Sequence, residues 1–598
     1  MSLLERLNEL ADRNVIRPID VHFTRLLVSR ARQQPEAVAL AAIALTQALE
    51  RGDMCCHLST LRAQLPLPFW PEQVDHHWLI SALHEEVEIC GRPDGDAVTP
   101  LVLDQQRLYL RRYFEHERLI AKRIWEASTK GIEVDEHALD DAHRLFANSD
   151  TQSKEQQNAC VNALKHHFSV ISGGPGTGKT TTVARLLVLL QRRARRQGRS
   201  LLIRLAAPTG KAAARVRESI TSQLSQLKQN GLIDDEMQSS IPDDAQTLHR
   251  LLGSTAQGRF RHDRANPLAV DVLVIDESSM MDATLFAAVV DALPAQAQLI
   301  LLGDRNQLAA VEAGNVFAEI CDLSNADSPR VFLQSAVARA CSQLNFSHRF
   351  AGVPAIGDLA DAVNAGDGER LASQLSAPAA GVTVTRYSGQ PDSVQLDQLI
   401  AGYRPLIESL KADAADPVVA LQLQSRFQVL CALREGPTGV VGLNKRMEQR
   451  LQALGWLSTS DDFYLGRPIM INRNDHAQRL FNGDLGLVMQ LGDERMAVFP
   501  GDEGQPRRVP VRRLPGHETA WSMTVHKSQG SEFDHIALVL PVSSAQSESL
   551  LRRELLYTAI TRARERVSFL LPEGPIPNGW LQRTERHSGL AERLRVLG

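Results

Sequence analysis

Residues 173–180 read Gly-Gly-Pro-Gly-Thr-Gly-Lys-Thr, which satisfies G-x-x-x-x-G-K-[ST] at every fixed position. The short apolar run Ser169–Ser172 precedes it, and a helical pattern from Thr181 to Gln191 follows. Strand, glycine loop and helix thus occur in the order that a phosphate-binding loop requires. Gly173, Gly174, Gly176 and Gly178, with Pro175 and Thr177 between them, let backbone N–H groups turn inward around phosphate oxygens. Thr181 continues into the helix, whose N-terminal dipole adds to the attraction. Lys179 is placed to reach the β- and γ-phosphates, and the Thr180 hydroxyl to hold Mg2+. ATP and Mg2+ are the expected cofactors.

Phosphate loops serve many reactions, so other groups must say which. Asp276-Glu277 closes the apolar run Val272–Ile275, a carboxylate pair suited to hydrolysis. Asp276 is expected to hold Mg2+, and Glu277 to orient and deprotonate water. Gly303-Asp304-Arg305-Asn306-Gln307-Leu308 follows another strand; Gln307 can sense a γ-phosphate while its neighbour Asn306 faces a second ligand. That combination points to a motor NTPase, not a kinase or GTPase.

Apolar strands alternate with helical segments through Ser169–Ser172, Leu201–Ala206, Val270–Ile275 and Gln298–Leu302, and the pattern restarts at Phe427–Leu433, Ile536–Leu540 and Val567–Leu571. The fold class is therefore α/β, with two parallel sheets covered by helices on both faces. Between strands of the second half, about 456–515, short strands and the turn signals Asn482-Gly483 and Pro500-Gly501 predict a small antiparallel β-barrel insertion. Residues 1–110 are mainly helical in spacing, with loops at Pro66-Leu67-Pro68 and Arg92-Pro93-Asp94-Gly95 and a hairpin over Leu101–Leu110. A long charged helix is expected from about Glu115 to Ser128. The expected units are 1–110, 111–355 and 356–598, the last carrying the insertion.

The net charge of −4 means that any nucleic-acid binding must rely on positive charge gathered in a groove. Seven scattered cysteines without a C-x-x-C pair indicate reduced intracellular thiols, and adjacent Cys55 and Cys56 cannot form an unstrained bridge. No apolar run is long enough to span a bilayer and the first residues lack a signal-type apolar core, so a cytoplasmic protein without membrane partners is expected. Arg192-Arg193-Ala194-Arg195-Arg196 reads as a solvated helix end complementing the dipole, not as a DNA patch. His76-His77 and His166-His167 lack the further spaced ligands of a zinc site and read as structural. Trp521 suits base stacking and core packing equally.

Taken together, the blocks resemble the superfamily-one helicases in kind and order. Glu155-Gln156-Gln157-Asn158-Ala159 resembles the adenine-reading block, with either Gln156 or Gln157 as reader. Ala207–Arg215, with Pro208, Thr209 and Lys211, and Gln246–Gly253, with Thr247 and His249, resemble strand-contacting blocks. Ser347-His348-Arg349-Phe350 resembles the block whose arginine meets the γ-phosphate. Thr524–Phe533, which holds Thr524, His526, Lys527, Gly530 and Glu532, resembles the block coupling DNA to nucleotide. Tyr557–Arg564 resembles the arginine-finger block, with Arg562 as the finger. Finer features are similar to the RecD subunits of the bacterial RecBCD complex (exodeoxyribonuclease V). They are Arg434–Gly439 before a helix with Asn444, Gly466–Asp475 running into Phe481–Asp484, and the Leu101–Arg112 hairpin.

The resemblance implies two RecA-like domains with ATP between them, Arg349 and Arg562 closing on the phosphates, and single-stranded DNA crossing both halves. The expected strand contacts are Pro208, Thr209, Lys211, Thr247, His249, Asn306, Thr524, His526 and Lys527. His526 has a core role as its alternative. It further implies 5′-to-3′ movement, duplex-end DNA as substrate, and RecB-like and RecC-like partners in a heterotrimer that docks on residues 1–110. A free-standing RecD-like helicase is the alternative, although the longer front extension of that group is not evident. A scaffold subunit without motor activity would be expected to have lost Lys179, Glu277 or Arg562, and all three are present. No metal–carboxylate nuclease block is evident outside the helicase blocks, so cutting is expected in another subunit.

Overall fold

A computed structural model describes residues 3–597 except 14, 62–74, 96–97, 147–150, 256, 325–334, 348, 351, 412–414, 459–460, 476 and 502–503, together with the side chains of 545, 546 and 549. The Pro66-Leu67-Pro68 loop and His348 lie outside the described residues.

At the front, helices Leu3–Asp12, Pro18–Val28 and Pro35–Glu50 pack together. Proline at the first helical position starts the second and third, where its missing N–H costs nothing. Pro35–Glu50 is apolar nearly all round and buries every residue from Ala37 to Thr46, so it forms the centre of this region's core. Against it lies a four-stranded sheet in the order Cys56–His57, Arg107–Leu110, Leu101–Asp104, Cys90–Gly91. The expected hairpin is its centre, turning at Gln105 with φ +55°. The charged helix runs Arg111–Thr129, a turn longer at its start than its pattern suggested.

The first α/β half holds a six-stranded parallel sheet in the order Cys341–Leu344, Phe168–Gly173, Gln298–Gly303, Val272–Ile275, Ile203–Ala207, Ala245–Thr247. Alternate residues of one strand feed opposite cores: Leu273 and Ile275 join Ile120, Phe286 and Phe317, while Val272 and Val274 join Leu186 and Ile220. The second half repeats this with a five-stranded parallel sheet in the order Val382–Tyr387, Ala563–Pro572, Phe533–Val539, Phe427–Cys431, Ser522–Thr524.

The insertion is a five-stranded antiparallel sheet in the order Arg507–Pro510, Glu494–Phe499, Leu485–Leu491, Pro468–Ile471, His517–Thr519. Its last strand lies just past the expected bound, and among the described residues its two edge strands do not pair with each other.

Several sequence readings resolve in this frame. Trp521 is a core residue: it is fully buried, its ring stands 4.9 Å from that of Tyr403, and its Nε1 donates to Tyr464 Oη at 2.7 Å. The arginine run is not a solvated helix end. Arg193 is buried and donates to Leu164 O at 3.0 Å, Arg192 binds Asp141 and Leu232 O, and Arg196 binds Asp141 at 2.6 Å. The cause is that the helix Lys179–Arg196 runs five residues further than its apolar pattern and ends against neighbouring acids and carbonyls. The terminal helix Leu590–Leu597, assigned by sequence to the second half, buries Leu590 and Leu594 in the core of the first. Among the described residues, no helix is long and apolar enough to cross a membrane.

Candidate nucleotide site and strand-contact rim

The two parallel sheets present the carboxyl ends of their strands to one cleft, where loops are free of ladder pairing and can face a ligand. From the first half come residues Pro175–Thr181, Asp276, Glu277 and Gln307; from the second come Glu532 and Arg562, with Arg349 from the connection between them. Gly176 and Gly178 take φ +76° and +81°, and a Cβ on Gly176 would stand 2.4 Å from Arg349 Cβ, so only glycine fits. Lys179 Nζ donates to the loop's own carbonyls, Gly173 O at 2.6 Å and Gly174 O at 3.1 Å. Of the two candidate adenine readers, Gln156 faces this loop, its Nε2 donating to Thr177 O at 3.2 Å. Gln157 points to His143 Nδ1 at 2.8 Å, away from the loop.

Asp276 and Glu277 stand where the strand Val272–Ile275 ends. Burial, and then repulsion from Glu277, push the Asp276 carboxyl up to about 6, against the pull of Lys179. Glu277 holds φ +51°, a left-handed conformation rare outside glycine and a recurrent strain at reactive positions. A desolvated carboxylate beside lysine and the Thr180 hydroxyl calls for a cation, and the glycine cradle calls for phosphate; these residues fit Mg2+ with ATP.

Opposite them is a cluster of guanidinium groups. Arg562 donates to Gln307 Oε1 at 2.8 Å, to Thr558 O at 3.1 Å and to Ser531 O at 3.2 Å. Gln307 Nε2 in turn reaches Asp304 Oδ2 at 3.2 Å, which also accepts from Tyr557 Oη at 2.9 Å. Glu532 accepts from Arg349 Nη2 at 2.6 Å, from Arg564 at 3.2 Å, and from Arg215. Burial and the charges of Arg215 and Arg562 pull the pKa of Arg349 down, so the cluster is short of negative charge, as a site for a triphosphate should be. Arg215, Asp304, Tyr557 and Arg564 were not singled out from sequence. For Arg215 a signal existed: it lies one turn after Lys211 on the helix Gly210–Gln229 and shares its face.

The residues expected to touch DNA lie where strands of both sheets end. Thr209 and Thr247 cap helices by accepting from Ala212 N and Arg250 N, each at 3.3 Å; Pro208 is half-buried beside the first. Asn306 is fixed through its backbone by Asp304 Oδ1 at 3.0 Å. His249 and His526 are exposed, which removes the core alternative for His526. Thr524 Oγ1 accepts from Lys527 N at 3.3 Å. The two lysines are already engaged: Lys211 Nζ meets Ser531 Oγ across the cleft at 2.5 Å, and Lys527 Nζ meets Glu518 Oε1 at 2.5 Å. Gly530 takes φ +70° in the turn between Lys527 and Ser531.

Three family profiles match the chain: the N-terminal domain of RecBCD enzyme subunit RecD over residues 12–109, an AAA domain over 156–313, and a UvrD-like helicase C-terminal domain over 519–570. RecBCD enzyme subunit RecD of Mycolicibacterium smegmatis is 35% identical over 604 residues, covering 100% of both chains. The chain belongs to the RecD family of RecBCD subunits. The RecD subunit of Haemophilus influenzae is 31% identical, again across 100% of both chains. The ATP-dependent RecD2 DNA helicase of Deinococcus radiodurans is 28% identical over 74% of this chain and 52% of its own. Among solved structures, Bacteroides Pif1 bound to single-stranded DNA aligns over 73% of this chain and 95% of its own, at 17% identity and a TM-score of 0.37. Membership in the RecD family makes this chain an ATP-dependent DNA helicase subunit.

Proposed function

We propose that this chain is the 5′-to-3′ DNA motor of a RecBCD-type helicase–nuclease, bound through residues 1–110 to RecB-like and RecC-like chains and acting on duplex ends. The observation that carries the reading is the meeting, in one cleft, of Lys179, Asp276, Glu277 and Gln307 from the first half with Arg349, Glu532 and Arg562.

In this reading Lys179 leaves the carbonyls of Gly173 and Gly174 for the β- and γ-phosphates of ATP, and Gln156 borders the base. Mg2+ at Thr180 and Asp276 would neutralise charge on the phosphate oxygens. Glu277 takes a proton from the attacking water, while Arg349 and Arg562 stabilise charge on the transferred phosphoryl group. Both arginines contact residues of the opposite half or the connection, so chemistry depends on cleft closure. The seam that must open and close includes Lys211 with Ser531, Leu308 N with Thr558 Oγ1 at 2.9 Å, and Gln529 Nε2 with Leu308 O at 3.1 Å. These ties join residues of the expected strand-contact rim, such as Lys211, to neighbours of the nucleotide groups, such as Leu308 beside Gln307, and so offer a route for coupling hydrolysis to movement along a strand.

Lys179→Gln should abolish DNA-stimulated ATP hydrolysis, and appreciable turnover by that variant would refute the site. Native recovery of the tagged chain tests the assembly. Two large co-purifying chains, lost on deletion of residues 1–110, are expected. A lone chain that unwinds 5′-tailed duplexes would instead place it with the free-standing helicases.

A further inference from the structure

Three arginines from three parts of the chain meet on one carboxylate in the cleft. Arg215 stands on the helix Gly210–Gln229 of the first half, Arg349 on the connection, and Arg564 on the strand Ala563–Pro572 of the second half. Glu532 Oε1 accepts from Arg349 Nη2 at 2.6 Å and also from Arg215 Nη2, so two guanidinium groups converge on a single oxygen. Arg564 takes the other oxygen, Oε2, at 3.2 Å and is itself 53% exposed. So exposed a contact contributes little, which leaves Arg215 and Arg349 as the pair to explain.

Their closeness has a cost. The pKa of Arg349 is pulled down first by burial and next by the charge of Arg215, the repulsion expected of two cations that share one counter-charge. Around the cleft Lys179, Arg215, Arg349 and Arg562 face Asp276, Glu277 and Glu532, four positive groups against three negative, and that excess suits an anionic ligand. An arginine fork fits phosphate oxygens as it fits carboxylate oxygens. The oxygen on which Arg215 and Arg349 converge therefore marks a place where an anionic oxygen is held from two sides. Whatever oxygen Arg349 reaches there, Arg215 reaches as well.

Arg215 differs from the other cleft arginines in where it is anchored. Its helix follows the strand Ile203–Ala207, which pairs in the sheet with Val272–Ile275, the strand that leads to Asp276 and Glu277. Ala212, Arg215, Val216 and Ser219, spaced i, i+3, i+4 and i+7 on that helix, line the cleft as one face. The charge of Glu277, the expected base, reaches Arg215 directly. Arg215 is thus carried by the same half as Lys179 and the carboxylate pair, and it needs no closure to stand beside them.

We propose that Arg215 binds the terminal phosphate of ATP directly, as the arginine that the first half supplies by itself, and exchanges Glu532 for a phosphate oxygen as the nucleotide enters. The proposal deepens the motor reading above and rests on it. Arg349 and Arg562 act when the cleft closes, so their loss falls on turnover. Arg215 acts in the open cleft, so its loss falls on binding, and only on nucleotides that carry the third phosphate.

The test uses the full chain with whatever chains accompany it, in the absence of DNA. Radioactive ADP carrying a benzoylbenzoyl photolabel on its ribose is cross-linked, and the band of this chain is read separately on a denaturing gel. Unlabelled ADP and the non-hydrolysed analogue AMP-PNP compete for it. Arg215→Gln should weaken AMP-PNP by about tenfold, the scale of one charge-assisted contact, and leave ADP unchanged. Arg215→Lys should lose less, because lysine keeps the charge without the fork. In an Arg349→Gln background the Arg215→Gln step should still cost AMP-PNP affinity. An equal loss for ADP and AMP-PNP overturns the proposal, as does no loss for either. A loss seen only while Arg349 is intact also overturns it, marking Arg215 as a residue that places Arg349. If the probe does not label Arg215→Gln, Arg215→Lys is read in the same way against the same outcomes. Failure of the motor reading looks different, since the wild-type chain itself would then take no label.

Discussion

Removing the guanidinium of Arg593 should loosen the attachment of the front region to the motor, because it strands a carboxylate inside the protein. The Glu117 side chain is 0% exposed and Arg593 is 17% exposed. Glu117 Oε1 accepts from Arg593 Nε at 2.6 Å and from Tyr109 Oη at 3.1 Å, and its Oε2 accepts from Gly589 N at 2.8 Å. Arg593 also binds Asp104 at 2.7 Å and lies over the Phe114 ring at 4.5 Å. Breaking one side of a buried pair costs about 3–5 kcal/mol, and the partial exposure of Arg593 favours the lower end, about 3.

The cost should depend on pH. Burial already pushes the Glu117 carboxyl up despite Arg593, and losing Arg593 raises it further. A carboxyl whose folded pKa lies above its unfolded value destabilises the fold as pH rises through that interval, because the folded state then holds a proton that the unfolded state has released. The Arg593→Ala deficit should therefore be larger at pH about 8 than at pH about 5.

A chain with several cores has no single unfolding midpoint, so the assay must be local. Amide hydrogen exchange of the terminal helix and of the Leu101–Leu110 hairpin should speed up about 100-fold, the equivalent of about 3 kcal/mol at ~1.4 kcal/mol per tenfold. Adding Glu117→Gln to Arg593→Ala removes both charges and should restore at least half of the protection. Exchange at the wild-type rate in Arg593→Ala, or a double variant as poor as the sum of the singles, would refute the buried-charge argument.

Two predictions concern the cleft. Glu277→Gln should retain nucleotide binding while hydrolysis falls by ~10²–10⁴-fold, the range for loss of a general base; a fluorescent ATP analogue and steady-state turnover separate the two effects. Because burial and the neighbouring Glu277 raise the Asp276 pKa, protons compete with Mg2+ for its carboxylate in mildly acidic solution. The Mg2+ concentration for half-maximal hydrolysis should rise as pH falls from about 7.5 to about 5.5 and stay level above; a flat Mg2+ requirement would remove Asp276 from the metal site.

What was legible in the sequence is what local chemistry encodes. The phosphate loop announces itself because glycine spacing, lysine and threonine must be contiguous, and the parallel sheets because both-face burial writes runs such as Val272–Ile275. Strand ends were readable only to within a few residues: Leu201–Ala206 became Ile203–Ala207, since apolar residues continue into the flanking turn. Contacts between distant segments left no such trace. Arg593 gives no sign that it will meet Glu117, 476 positions earlier, and nothing marks Glu532 as the acceptor for Arg215, Arg349 and Arg564.

The segment from Gln582 to Arg593 shows why such contacts matter for function. Gln582 O accepts from Arg553 N at 3.2 Å on the helix that leads to Arg562, and Thr584 binds Glu554 on the same helix. Arg586 holds Ala310 O at 2.6 Å and Gly314 O at 2.8 Å, just after the Gln307 loop. His587 N donates to Asp53 Oδ1 at 2.8 Å in the front region. One short strap therefore touches the helix that leads to Arg562, the segment just after Gln307 and the region expected to dock partners, so movement of the cleft is expected to reach that region. The same strap places Arg593 against Glu117, which makes hydrogen exchange in the terminal helix a direct readout of how firmly the motor and its front region are joined.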